Sequence, residues 1–228
     1  MANAFRSARL LYRTVEDDDG DFVHSVESDP AVSGNSKVDL LKPASKRGAT
    51  GLLHFMQETA LLGVIICLQP SPTPSHPPAV ESATVTTFMS STRQTNKKPR
   101  STERRDANPI GYISLSHELG PANPHHRNAS ISISLASDYQ GQGYGTEAIN
   151  WALDWAFEIA GLHRVAITSF AYNERACSLY ERLGFTLEGR RREALWFRGR
   201  FHDMLFFSML RHEWEERSRT ESSRRSSE

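Results

Sequence analysis

The chain has 228 residues, with 27 basic side chains balanced by 27 acidic ones and a hydrophobic content of 38%. That length suits one ordinary domain with insertions, or one domain and a small appendage, and the zero net charge removes any global bias toward nucleic acid or an anionic membrane. Cys67 and Cys177 are the only cysteines, too few for a disulfide framework or a four-cysteine zinc site, and the longest apolar run, residues 61–68, has barely half the length of a membrane-crossing helix.

These features predict a reducing, intracellular setting, cytoplasmic with a nuclear placement open, and no metal. The opening residues are not expected to act as a secretory signal. Residues 1–13 hold Arg6, Arg9 and Arg13 and no acid, which weakly resembles a mitochondrial presequence; Leu10, Leu11 and Val15 equally fit a first strand.

Residues 10–15 read as a strand, 20–26 as a short helix and 61–68 as a buried strand, whereas 52–58 are ambiguous and the rest of 27–60 has no clear pattern. Residues 69–108 combine Pro70, Pro72, Pro74, Pro77, Pro78 and Pro99 with many Ser and Thr and end in Lys97, Lys98, Arg100, Arg104 and Arg105. This composition predicts a disordered insertion at 70–108, which a fold tolerates because closure entropy grows only logarithmically with loop length. Residues 110–116 and 129–135 alternate apolar and small polar side chains, the period of half-buried strands. Ile149, Ala152, Leu153, Ala156 and Ala160 mark a helix over 146–160, and 164–170 reads as a strand. A second helix begins at Asn173, a good N-cap, and stops at Gly184. Strands over 187–197 and 201–210 meet at a tight turn of Arg198 and Gly199. The Ser-, Arg- and Glu-rich residues 215–228 are expected to be a disordered tail, leaving 1–214 as a single domain.

Directly after the strand ending at Leu135 stand Gln140, Gly141, Gln142, Gly143, Tyr144 and Gly145, and Thr146 opens the helix. Three alternating glycines at a strand-to-helix junction let successive N–H groups converge on one point, and the helix N-terminus adds unpaired donors and a positive dipole end. A pyrophosphate suits such a point without any lysine or arginine. The spacing is not the G-x-G-x-x-G of a dinucleotide fold, no carboxylate ends the next strand, and the Gly-Lys-Ser/Thr of a P-loop is absent.

Gln140, Gly143 and Gly145 resemble the Gln-x-x-Gly-x-Gly motif with which the GNAT acetyltransferases hold the pyrophosphate of acetyl-CoA. Asn173, Ala176, Tyr180, Leu183, Gly184 and Phe185 match a second family element about thirty residues downstream, and residues 188–209 look most like the branch of ribosomal-protein alanine and spermidine acetyltransferases. The resemblance implies an α+β fold with a central, mixed but mostly antiparallel sheet splayed between two parallel strands and flanked by helices. It also implies transfer of an acetyl group from acetyl-CoA to a primary amine, of a small molecule or a protein N-terminus, by direct attack in a ternary complex.

On the same resemblance, Leu135, Ala136 and Ser137 face the pantetheine and thioester, and Gln140 to Thr146 and Asn173 contact the cofactor. Tyr180 is the general acid that protonates the departing sulfur; a phenol with a pKa near 10 is protonated at neutral pH. The other reading of Tyr180 is an apolar-face residue of its helix. No carboxylate stands on the strand before the glycine motif, where Ser130, Ser132 and Ser134 occupy the polar positions, which leaves His117, Glu118, His125 and His126 as candidate bases. A monomer or homodimer is expected, with no membrane and no nucleic-acid partner. The alternative is an inactive acyl-CoA-binding or regulatory protein of the same fold.

Overall fold

The computed structural model describes residues 4–69 and 107–225. Seven strands form one sheet: β1 (Leu10–Thr14), β2 (Leu62–Leu68), β3 (Pro109–His117), β4 (Asn128–Leu135), β5 (Arg164–Phe170), β6 (Thr186–Phe197) and β7 (Arg200–Leu210). Their spatial order is β1-β2-β3-β4-β5-β7-β6, and every neighbouring pair is antiparallel except β4 with β5. This is the mixed, mostly antiparallel sheet expected from the sequence.

The strands alternate their side chains between two cores, as the period-two pattern requires. Leu10, Tyr12, Ile66, Ile113, Leu115 and Ile131 face one layer, with Ile149 and Phe157 of the helix α4 (Tyr144–Asp154) and its continuation, and Tyr180 of α5 (Glu174–Arg182). Leu11, Ile65, Cys67 and Tyr112 face the other, against Val23 and Val26 of α1 (Gly20–Ser28), Val32 of α2 (Pro30–Ser36) and Leu53 of α3 (Lys46–His54). The stretch left ambiguous around 52–58 is the end of α3 and a wider π-type turn, Phe55–Thr59.

Local signals account for the element ends. The Asn173 side chain caps α5 by accepting from the Ala176 N–H at 3.2 Å, and Gly184 ends that helix at φ 87°. Arg198 and Gly199 both have positive φ, 49° and 84°, the backbone of a two-residue hairpin turn whose twist matches the flanking strands. Between β2 and β3 the Leu68 N–H donates to the Asn108 carbonyl at 2.9 Å, so the two chain ends on either side of residues 70–106 lie together in a hairpin. Apart from Ala107 and Asn108, the proposed insertion at 70–108 lies outside the described residues.

The expectation of a disordered tail is corrected. Residues Arg211–Arg225 form a helix, α6. Its composition hides this because little of it is apolar, yet Arg211 and Glu215 pair one turn apart at 2.9 Å, the spacing that supports an exposed helix. Trp214 is buried and its indole N–H donates to Asp154 at 3.1 Å, while Arg217 donates to Asn150 at 2.9 Å and to the Leu183 carbonyl. The first two turns of α6 are therefore fastened to α4 and to the end of α5.

Candidate active site

β4 and β5 pair in register only from Asn128 with Arg164 to Ile131 with Ile167. Beyond that point Ser132 to Leu135 remain with β3, and Thr168 to Phe170 remain with β7. A gap between two splayed parallel strands exposes backbone groups that a continuous ladder would have consumed. It opens a cleft of about 1130 Å³ lined by both strands, the glycine turn, α5 and the C-terminal part of α2.

At one end of this cleft the glycine turn leads into α4. Gly141 and Gly143 have φ of 80° and 84°, a conformation that strains any residue with a Cβ. The Gln140 side chain reaches back to donate to the Leu135 carbonyl at 2.9 Å, tying the turn to the strand that precedes it. Space is scarce here: a Cβ on Gly141 would lie 3.2 Å from a guanidinium nitrogen of Arg175, and one on Gly143 would lie 3.2 Å from Arg9. Arg175 and Arg182 both line the cleft from α5. The turn thus carries nearby cationic side chains, a feature that sequence reading missed because Arg9 and Arg175 stand far from the motif along the chain.

Arg9 is itself held in place. Its Nε donates to Glu147 at 2.8 Å, its Nη1 to the Gln142 carbonyl at 3.0 Å, and its guanidinium lies 4.4 Å from the Tyr144 ring centre. Burial pushes the Glu147 carboxyl up, but hydrogen bonds from Ser7, the Arg9 N–H and the Arg9 side chain outweigh it and hold the group below the usual carboxylate range.

Of the expected site residues, Leu135, Gln140, Gly141, Gly143, Gly145, Thr146, Asn173 and Tyr180 line the cleft together. Ala136, Ser137, Gln142 and Tyr144 do not. The Ala136 N–H is spent on the Ile110 carbonyl at 2.9 Å, the Ser137 carbonyl accepts from the Gln140 N–H at 3.1 Å, the Gln142 amide turns back to the Asp138 carbonyl at 2.6 Å, and Tyr144 packs on Arg9 and Tyr139. Asn173, besides capping α5, donates to the Asn35 carbonyl at 3.3 Å, which braces α2.

Tyr180 is buried, with its ring 6.1 Å from that of Phe185 and 5.8 Å from that of Phe207. Burial, with a smaller contribution from Cys177, raises its phenol pKa well above the ordinary value. It belongs to the core stripe of α5, as the packing reading of the sequence has it, and it also borders the cleft. The candidate bases are placed differently. None of His117, Glu118, His125 and His126 lines the cleft; they sit in the β3–β4 connection, at the far end of β4 from the glycine turn, and Glu118 pairs with Arg164 at 3.3 Å. No group of side chains with the makings of a metal site occurs among the described residues, nor any helix there long and apolar enough to cross a membrane.

Residues 68–185, from the end of β2 through α5, match the acetyltransferase (GNAT) family. The chain belongs to the GNAT acetyltransferase family. Over 110 residues it is 38% identical to the putative ribosomal N-acetyltransferase YdaF of Bacillus subtilis, a match covering 48% of this chain and 58% of that protein. Over 116 residues it is 34% identical to a spermidine N(1)-acetyltransferase of Vibrio cholerae, covering 51% of this chain and 65% of the relative. Each match spans less than two thirds of the relative's length. The fold extends further than this sequence likeness. The crystal structure of spermidine N-acetyltransferase from Vibrio cholerae in complex with CoA and spermine superposes with a TM-score of 0.64 at 22% identity, covering 91% of this chain and 99% of that one. The GNAT match holds the splayed strands, the glycine turn and Tyr180, whereas α2, which borders the other side of the cleft, lies outside it, as does α1.

Proposed function

We propose that this chain is an acetyl-CoA-dependent N-acetyltransferase acting on a primary amine by direct attack in a ternary complex. The observation that carries the reading is a single cleft, running through the β4–β5 splay, that has a glycine-lined helix N-terminus at one end and the buried Tyr180 phenol on its wall. Three features support acetyl-CoA: an anion-binding turn in which a Cβ would crowd Arg175 or Arg9, cations beside it, and, from Ser132 to Leu135, a β4 edge that no longer pairs with β5 and faces the splay, for an extended amide-bearing arm.

In this reading Gln140, Gly141, Gly143, Gly145 and Thr146 present the turn and the start of α4 to the pyrophosphate, with Arg175 and Arg182 screening phosphate charge. Leu135 and the backbone before it flank the pantetheine. Asn173 acts by capping α5 and holding α2, and so sets the width of the cleft. When bound, acetyl-CoA supplies an activated thioester. The amine enters from the α2 side, and the Tyr180 O–H donates to the sulfur as negative charge develops there. Ala136, Ser137, Gln142 and Tyr144 shape and anchor the turn from behind.

The relatives named for ribosomal and spermidine acetylation carry the amine class to this chain. The test is release of free thiol from acetyl-CoA with a panel of polyamines, amino acids and peptides with free N-termini, beside calorimetric binding of acetyl-CoA alone. Binding with amine-dependent thiol release supports the enzyme. Binding without thiol release in the presence of any acceptor supports a carrier or regulator of the same fold, and absence of binding refutes both.

A further inference from the structure

The peptide between Gln142 and Gly143 is trans, so its carbonyl and its N–H point to opposite sides. The Gln142 carbonyl accepts from Arg9 Nη1 at 3.0 Å, which leaves the Gly143 N–H on the side away from Arg9. Gly143 lines the cleft, whereas neither Gln142 nor Arg9 does. Arg9 therefore stands behind the turn and holds the carbonyl end of a peptide whose N–H end belongs to the anion site. Such a hold is needed. Gly141 and Gly143, at φ 80° and 84°, let successive N–H groups converge, but the same freedom lets the peptide between them rotate at little cost.

The guanidinium that pins this peptide is itself clamped. Arg9 Nε donates to Glu147 Oε2 at 2.8 Å, and Oε1 accepts from the Arg9 N–H at 2.7 Å and from the Ser7 hydroxyl at 2.6 Å. Ser7 lies 3.0 Å from the Tyr12 phenol oxygen, the Tyr12 ring stacks on Trp151 of α4 with centres 3.7 Å apart, and the Trp151 indole donates to the Ala4 carbonyl at 2.8 Å. Residues 4–12 thus grip α4 at Glu147 and again one turn later at Trp151. All of them precede the stretch matched to the family, residues 68–185.

We infer that Arg9 is a positioning residue for the cofactor's pyrophosphate: by holding the Gln142 carbonyl it keeps the Gly143 N–H turned into the cleft, with Glu147 orienting its fork. The inference rests on the acetyl-CoA reading above and gives the N-terminal segment a part in cofactor binding. Its effect is geometric, because Glu147 offsets the charge of Arg9 and leaves the phosphates little net attraction from the pair. A guanidinium on the carbonyl also polarises the peptide and strengthens its N–H as a donor.

The test is calorimetric binding of CoA to wild type, Arg9→Ala, Arg9→Lys, Glu147→Gln and the Arg9→Ala/Glu147→Gln double variant, below the melting temperature of each. Arg9→Ala should weaken CoA by about tenfold, the scale of one hydrogen bond to a charged group. Arg9→Lys should not restore it, since an ammonium lacks the planar fork that serves Gln142 and Glu147 together. Glu147→Gln should also weaken CoA, and the double variant should bind no worse than Arg9→Ala, because both changes release the same peptide. In nitrogen-15 spectra without CoA, the Gly143 amide should be a single sharp signal in wild type and broadened by exchange in Arg9→Ala, with amides of the central strands unmoved. If Arg9 acted only as a positive charge, Arg9→Lys would keep the affinity and Glu147→Gln, which removes an acid beside the phosphates, would tighten binding. Either result overturns the inference, as does wild-type affinity in Arg9→Ala or a sharp Gly143 amide in a variant that has lost CoA. Should Arg9→Ala not fold, Arg9→Lys and Glu147→Gln decide. Absence of CoA binding by wild type would instead refute the acetyl-CoA reading itself.

Discussion

Replacing Tyr180 with Phe separates a catalytic phenol from a packing residue, because the structure lets the two contributions be estimated apart. The ring sits between Phe185 and Phe207 and fills the core stripe of α5, and a Phe ring keeps those contacts. Only the hydroxyl goes, so the stability change should stay within about 1 kcal/mol, the scale of a single neutral hydrogen bond. If that hydroxyl protonates the departing sulfur, turnover should fall by about a hundredfold to ten-thousandfold, equivalent to roughly 3 to 5 kcal/mol of barrier. Acetyl-CoA affinity should hold, since the change removes an interaction made in the transition state. The pH dependence adds a sign. Burial raises the Tyr180 pKa, so the acid form persists beyond its ordinary value of about 10 and no loss of kcat from this group should occur below that pH. The assay is single-turnover thiol release at saturating acetyl-CoA, with melting curves and calorimetry for both proteins. A Phe variant with wild-type single-turnover rate refutes the general acid while leaving the glycine turn untouched.

Gly143→Val should lose acetyl-CoA binding by calorimetry yet remain folded, because a left-handed valine costs about 1–2 kcal/mol locally and its Cβ would press on Arg9; undiminished affinity would place the pyrophosphate elsewhere. Glu147, whose carboxyl is held low in the folded state, contributes stability that is intact above the ordinary glutamate value of about 4.3 and lost as pH falls through its lowered folded value. Melting curves of wild type and Glu147→Gln should therefore differ near neutrality and converge in acid. Excising residues 71–105 should leave the melting temperature and acetyl-CoA affinity nearly unchanged, since Leu68 and Asn108 already close the β2–β3 hairpin; cooperative loss of the fold would show that the segment is structural.

What the sequence revealed was whatever is encoded over a few neighbouring residues. The strand over 164–170, the Asn173 cap, the Gly184 stop and the Arg198–Gly199 turn each depend on one local signal, and each stands in the structure where that signal put it. The glycine motif is local in the same sense. α2 was illegible because seven residues with Gly34 and Asn35 carry almost no helical period. α6 was misread because its stability comes from Trp214 and Arg217 gripping α4 and the end of α5, partners 34 to 67 residues away that composition does not display.

The same distinction explains which half of the candidate site could be read. The turn and α5, the half matched to the family, are built from contiguous motifs. The other half is assembled at long range: the Tyr172 hydroxyl donates to the Gly34 carbonyl at 2.7 Å, Asn173 donates to Asn35, and the Phe197 ring, stacked 4.5 Å from Tyr172, comes within 3.4 Å of where a Gly34 Cβ would be. Gly34 thus packs against a hairpin about 160 residues downstream, a contact that no local pattern announces. A wall held from three distant elements can change its lining without disturbing the glycine turn. On the acetyl-transfer reading proposed above, amine preference belongs to α2 and the residues that follow it, where Lys37 and Asp39 line the cleft, and the chemistry of the thioester to the part of the sheet that a motif search already finds.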